Sequence, residues 1–209
     1  MPRVARIGLG VLLGLLVWSF VQAKSGESVQ AAQWTKRYDD HFRKYSKHYF
    51  GAHFDWRWFK AQAIAESGLR SDVTSVAGAR GIMQILPSTY DEIRAENPHF
   101  IDIGSPRWNI AAGIFYDRKL YRRWREDAHA ADRLYFTFAS YNAGLQRVRR
   151  AAQRIEESPK PWHQVRRYTP GQTRHYVRRI RRLMQSPVTR LPVDPAPTDL
   201  RRGMRPPST

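Results

Sequence analysis

Glu66 ends an apolar stretch that runs from Trp58 through Ile64 and Ala65, and the turn-forming pair Ser67-Gly68 follows it. A carboxyl in such company is partly withdrawn from water, which disfavours its charged form and keeps it protonated near neutrality. A protonated carboxyl can give its proton to a leaving oxygen, the task of a general acid. A capping or salt-bridged glutamate would show the same local sequence, so Glu66 alone leaves both readings open. Most of the other carboxylates, such as Asp39-Asp40 and Glu156-Glu157, have polar neighbours and read as solvated, and Glu66 does not. His41, His48 and His53 lie on or beside an amphipathic stretch without metal-ligand spacing, and they read as polar-face residues. No cofactor and no metal is implied.

Helices joined by short loops must position that acid. Trp34, Tyr38, Phe42, Tyr45 and Tyr49 recur at four, four, three and four residues, one stripe of an amphipathic helix ended by Gly51. A second helix is predicted from a cap at Asp55 to Gly68, with Phe59, Ala63 and Ile64 along it. Trp58 and Phe59 read as core. Residues 68–81 are loop-like, Pro87 opens a helix broken at Asn97-Pro98, and two more stretches cover about 108–125 and 130–141. Gly144 interrupts, and helical patterning resumes to about Glu157. A last helix over 171–185 carries Tyr176, Val177, Ile180 and Leu183 on one side and a row of Arg on the other. No alternating run is long enough for a sheet. The last twenty-three residues hold six prolines and read as a flexible tail.

Charge and export bound the function. With 36 Lys and Arg against 18 Asp and Glu, the formal charge is +18, and no cysteine is present. Zero Cys removes thiol catalysis, zinc fingers and disulfides. Nucleic acid, an anionic membrane surface and an acidic polysaccharide all fit such a charge. Arg3 and Arg6 precede fifteen uncharged residues, Ile7 to Val21, and Val21-Gln22-Ala23 follows: the order of a secretory signal cleaved after Ala23. An uncleaved N-terminal membrane anchor is the alternative, although the run is shorter than the ~20 residues a span usually needs. Removing residues 1–23 takes away two positive charges and leaves +16. Export to the periplasm or cell envelope argues against nucleic acid as the partner.

Three blocks then stand in order: Glu66-Ser67-Gly68; Ala77-Gly78-Ala79-Arg80-Gly81-Ile82-Met83-Gln84 with Ser75 before it; and Ala139-Ser140-Tyr141-Asn142-Ala143-Gly144. Over about residues 50–182, including Thr173-Arg174-His175-Tyr176-Val177, the chain resembles the lysozyme-like lytic transglycosylases of the soluble-lytic-transglycosylase (SLT), goose-lysozyme-like domain family. The resemblance implies an all-α, lysozyme-like single domain with a cleft and little or no sheet. It also implies cleavage of the β-1,4 bond between MurNAc and GlcNAc in peptidoglycan. Two-carboxylate glycosidases use a second acid as nucleophile or base. The resembling family lacks it: one glutamate, here Glu66, protonates the glycosidic oxygen, and the sugar's C6 hydroxyl attacks C1 to leave a 1,6-anhydro end.

On the same ground Ser75 is expected near the catalytic carboxyl and the substrate's acetamido group, and Gln84 hydrogen-bonds the sugar. Tyr141 lines the cleft with its hydroxyl within reach of Glu66, the Ser140 carbonyl lies near the acid, and Tyr176 forms cleft wall. Asn142 either holds its turn or touches glycan, and Met83 packs. Ala77 and Leu86 depart from residues common in the family, which affects subsites rather than the acid. The competing functions are a goose-type hydrolase, for which Asp72 or Asp91 would have to hold water, and a non-catalytic basic glycan- or nucleic-acid-binding module. The Arg-rich last helix and the tail could also dock a secretion or conjugation machinery. The expected organisation is a leader at 1–23, an amphipathic helix within 24–50, the domain at 51–185 and the tail at 186–209.

Overall fold

Helical periodicity becomes eight α-helices in the computed structural model, which describes residues 34–186. They are α1 (Asp39–Phe50), α2 (Arg57–Ser67), α3 (Pro87–Glu96), α4 (Pro106–Arg123), α5 (Arg133–Ala143), α6 (Leu145–Ala152), α7 (Trp162–Val165) and α8 (Gly171–Gln185). The leader and the Pro-rich tail lie outside the described residues, as does the chain up to residue 33. Proline stands at the start of α3 and of α4, where its missing N–H is one the helix cannot use. Among the described residues no strand forms. Extended pairing is confined to isolated bridges, of which Thr74–Arg80 and Arg80–Ile85 tie the long loop after α2 onto itself. Among those residues, too, no helix is long and apolar enough to cross a membrane.

The first aromatic stripe differs from its expected form at its start. The helix opens at Asp39 rather than near Trp34, because Tyr38 takes a left-handed backbone (φ 70°). Asp39 and Asp40 then supply negative charge to the first turn, where the helix dipole favours it. Moreover, α1 packs with the helices that follow: Phe42 and Tyr45 are buried in the same core. Lys60, on α2, binds back to Asp39 and to the Thr35 carbonyl, which draws the segment before α1 onto the body.

The core gathers Phe59 and Ile64 from α2, Ile110 and Ile114 from α4, Phe136 and Phe138 from α5, and Ile180 and Leu183 from α8, all fully buried. Burial of a side chain this size is worth about 1.5–3 kcal/mol. The α2 helix packs against α1 and α8, and α5 against α4, α6 and α8. The C-terminal end of α2, the 68–86 loop, α5 and α8 therefore converge, and Glu66 sits at that junction.

Candidate active site

Glu66 occupies the last turn of α2. Burial pushes its carboxyl from the ordinary 4.5 up to about 7. Two groups oppose the rise. The Tyr176 hydroxyl donates to Glu66 Oε1 at 2.5 Å, and the positive charge of Arg179 favours the carboxylate. Arg179 also donates to the carbonyls of Ala65 (3.0 Å) and Ile64 (3.3 Å), closing the helix end from α8. Tyr176 and Arg179 stand three residues apart on one face of α8, so a single helix both orients the acid and ends the helix that carries it.

Ser67 explains the residue type that follows the acid. Its buried hydroxyl donates to the Ile82 carbonyl at 2.9 Å, joining the end of α2 to the Gly-Ile-Met-Gln block. Asn109, buried near the start of α4, holds the other side of that block. Its Oδ1 accepts from the Met83 amide (2.8 Å), while Nδ2 donates to the Arg80 and Ile103 carbonyls (3.0 and 2.9 Å). Gly81 has φ +74°, and a Cβ there would stand 2.6 Å from Asn109 Nδ2, so glycine is required on both counts. Gly113 is needed for a different reason: a Cβ there would stand 2.8 Å from the Met83 side chain. Met83 is fully buried and packs, as its apolar character implied.

The expected sugar-contacting residues divide into two groups. Tyr141 and Tyr176 lie beside the acid: burial and the charge of Glu66 both push their hydroxyls well above the ordinary tyrosine range. Tyr176 proves to be the direct partner of Glu66 rather than simple cleft wall. Tyr141 instead donates to the Met83 carbonyl at 2.8 Å, and its ring meets Tyr116 edge-on at 5.5 Å. The others are tied into the scaffold. Ser75 Oγ accepts from the Ala79 amide at 3.0 Å, a bond within its own turn instead of one to Glu66. Gln84, in a left-handed conformation (φ 47°), spends its amide hydrogens on the Val73 and Gly81 carbonyls. Ser140 is fully buried: its hydroxyl accepts from Trp124 Nε1 and its carbonyl from the Gly144 amide (both 2.9 Å). Asn142 accepts from the Thr173 hydroxyl at 2.9 Å and so links the end of α5 to the start of α8.

One carboxyl escaped the sequence reading. Asp117 on α4 is fully buried, accepts from Gln62 Nε2 at 3.3 Å, and is raised well above the ordinary aspartate range by burial and then by the charge of Glu66. Gln62 lies one turn before Glu66 on α2. Glu66 is thus not the sole acid in the interior. Asp117 follows Ile110 by seven residues and Ile114 by three, which puts it on the inward stripe of α4, but its neighbours Arg118-Lys119 gave it a solvated appearance. Asp72 and Asp91 are exposed. Among the described residues, no three His, Cys, Asp or Glu side chains gather as a metal site.

The family model of the transglycosylase SLT domain matches residues 44–163, beginning inside α1. Membrane-bound lytic murein transglycosylase F of Maricaulis maris is 28% identical over 149 residues, 68% of this chain and 32% of its own length. The protein of the same name from Pseudomonas putida strain F1 is 31% identical over 137 residues, 64% of this chain and 27% of its own. This chain thus spans about a third or less of those relatives. The 70-kDa soluble lytic transglycosylase of Escherichia coli superposes with a TM-score of 0.56 at 27% identity, covering 70% of this chain and 23% of that one. With the matched profile covering more than half of the residues and including both Glu66 and Tyr141, this chain belongs to the transglycosylase SLT domain family.

Proposed function

We propose that the protein is a peptidoglycan lytic transglycosylase that cleaves the MurNAc–GlcNAc β-1,4 bond with Glu66 as its one acid and base. The observation that carries this reading is a carboxyl at a helix end, only partly closed off from solvent and bonded to the Tyr176 hydroxyl, whose pKa of about 7 keeps a large fraction protonated at neutral pH. That proton goes to the glycosidic oxygen. The glutamate left behind, oriented by the Tyr176 hydroxyl, then takes the proton of the substrate's own C6 hydroxyl as that oxygen attacks C1. The bond to the leaving GlcNAc breaks, the C1–O6 bond forms, and no water is consumed.

A hydrolase of the same fold needs a second carboxylate to hold water or attack the sugar. Asp117 does not suit that task, since it is fully buried away from solvent and burial pushes its carboxyl well above the ordinary aspartate range. Beside the acid, Tyr141 is the aromatic group for a sugar ring, and Gln84 Oε1, the Ser75 hydroxyl and Asn142 Nδ2 are the polar groups we assign to the acetamido and hydroxyl groups. The site belongs in the cell envelope, reached by export, with the anionic wall as the enzyme's main partner. Docking to a secretion or conjugation machinery is a further role for the Arg-rich face of α8.

Replacing Glu66 by Gln keeps the shape and removes the proton. Glu66→Gln should release no muropeptides from purified sacculi while still binding them. Clearance of a sacculus suspension at the wild-type rate by that variant would refute the assignment.

A further inference from the structure

We propose that a groove between α1 and the start of α4, separate from Glu66, is a second binding site for the carboxylate-bearing strands of peptidoglycan. The inference rests on the function proposed above and places wall retention on named residues. The groove has a volume of about 580 Å³ and is lined by Lys44, Lys47 and His48 of α1, His99, and Arg107 and Trp108 of α4. Among the described residues that line it there is no carboxylate, so three permanent cations and two histidines face one hollow. Lys44, Lys47 and His48 stand three and four residues apart and project from one exposed face of α1.

One of the cations is held in place. Arg107 Nε donates to the hydroxyl of the buried Tyr45 at 3.1 Å, and its guanidinium lies 4.3 Å from the centre of the Trp108 ring. Trp108 is half-buried, and His99 meets its ring edge-on at 5.7 Å. Side chains already ordered lose little freedom on binding. Trp108 also precedes Asn109, which grips the 80–85 loop, so the groove shares its scaffold with the catalytic site.

The lining selects the ligand. Aromatic faces suit the C–H faces of pyranose rings, and clustered ammonium and guanidinium groups suit carboxylates. A hollow of this volume falls within the range of small-ligand pockets, room for a sugar and part of a peptide rather than a duplex. No aliphatic side chain lines it to enter an acyl layer, which disfavours a lipid surface. Muramic lactyl-linked stem peptides carry the ring and the carboxylates together.

The test uses the full chain with Glu66→Gln, so that sacculi are bound without being digested. Sedimentation with purified sacculi at low salt measures the dissociation constant. Lys44→Glu with Lys47→Glu should weaken binding about tenfold. Arg147→Glu with Arg150→Glu, the same charge change on exposed α6 positions, should alter it less than twofold. Sacculi whose carboxyls have been amidated should bind weakly and no longer distinguish the two variants. Lys44→Gln with Lys47→Gln provides a milder pair that should fall between, should the reversed charges disturb α1. Equal losses in both double variants, or a difference that persists on amidated sacculi, would overturn the proposal, as would a loss confined to DNA or anionic vesicles. Release of soluble products by the chain with Glu66 intact reads the parent function separately. No release would sink that function; release with binding indifferent to Lys44 and Lys47 would sink only the second site.

Discussion

Glu66→Gln should make the protein more stable at alkaline pH while abolishing its turnover. Burial at the C-terminal end of α2 raises the Glu66 carboxyl from 4.5 to about 7, so the folded state resists its ionisation. The sign follows from proton binding. Below pH 4.5 the carboxyl is protonated in both folded and unfolded chains and contributes no pH dependence. Between 4.5 and about 7 the unfolded chain has released its proton while the folded chain keeps it, so stability falls as pH rises. Above 7 both are ionised and the loss is complete. A rise from 4.5 to about 7 amounts to about 3 kcal/mol, an upper bound because Glu66 is partly open to solvent. Glutamine does not titrate, and its side-chain carbonyl still accepts from the Tyr176 hydroxyl. Urea unfolding at pH 5 and pH 8, read by circular dichroism, should therefore show the variant gaining about 2–3 kcal/mol over wild type between the two conditions. Asp117 titrates in both proteins and largely cancels. A wild-type-to-variant difference that stays the same at both pH values would show that Glu66 is not held protonated by its surroundings.

Three further outcomes follow from the same geometry. Tyr176→Phe removes the donor that favours the Glu66 carboxylate, so the alkaline limb of the pH–rate profile on a soluble glycan should move upward, and an unmoved limb would contradict the orienting bond. Asn109→Ala leaves the Met83 amide and the Arg80 and Ile103 carbonyls without their partner and should cost about 3 kcal/mol in urea unfolding; a cost below about 1 kcal/mol would remove Asn109 as the clamp of the loop. Asp117→Asn keeps the buried shape without a titrating group: stability should fall less as pH rises than in wild type, and activity should stay within about tenfold. Inactivity as complete as that of Glu66→Gln would break the single-acid account.

The sequence carried the acid and the scaffold unequally. Glu66 stood out through the apolar residues before it and the Ser-Gly turn after it, but that pattern fits a capping glutamate as well, and the three ordered blocks were what singled it out as the acid. The helices were legible through their stripes, with α1 misjudged at its start because the left-handed backbone of Tyr38 leaves no mark in residue spacing. What could not be read is pairing across the chain. Tyr176 lies 110 residues from Glu66, and only the packing of α8 on α2 brings them together. The resemblance placed Ser75 and Gln84 at the substrate; that both also hold their own loop, which has few regular backbone bonds, is a pairing that spacing does not show. Asp117 was hidden by its charged neighbours, though its helical phase with Ile110 and Ile114 points it inward.

Mass analysis of the products released from purified sacculi tests the central claim most directly. Intramolecular attack by the C6 hydroxyl gives 1,6-anhydro-muramyl ends, each lighter by one water than an end made by hydrolysis. The account predicts anhydro ends as the product of the wild-type chain and none from Glu66→Gln. Hydrolysed reducing ends alone would contradict it and require a water-holding base that Glu66 and its neighbours do not supply.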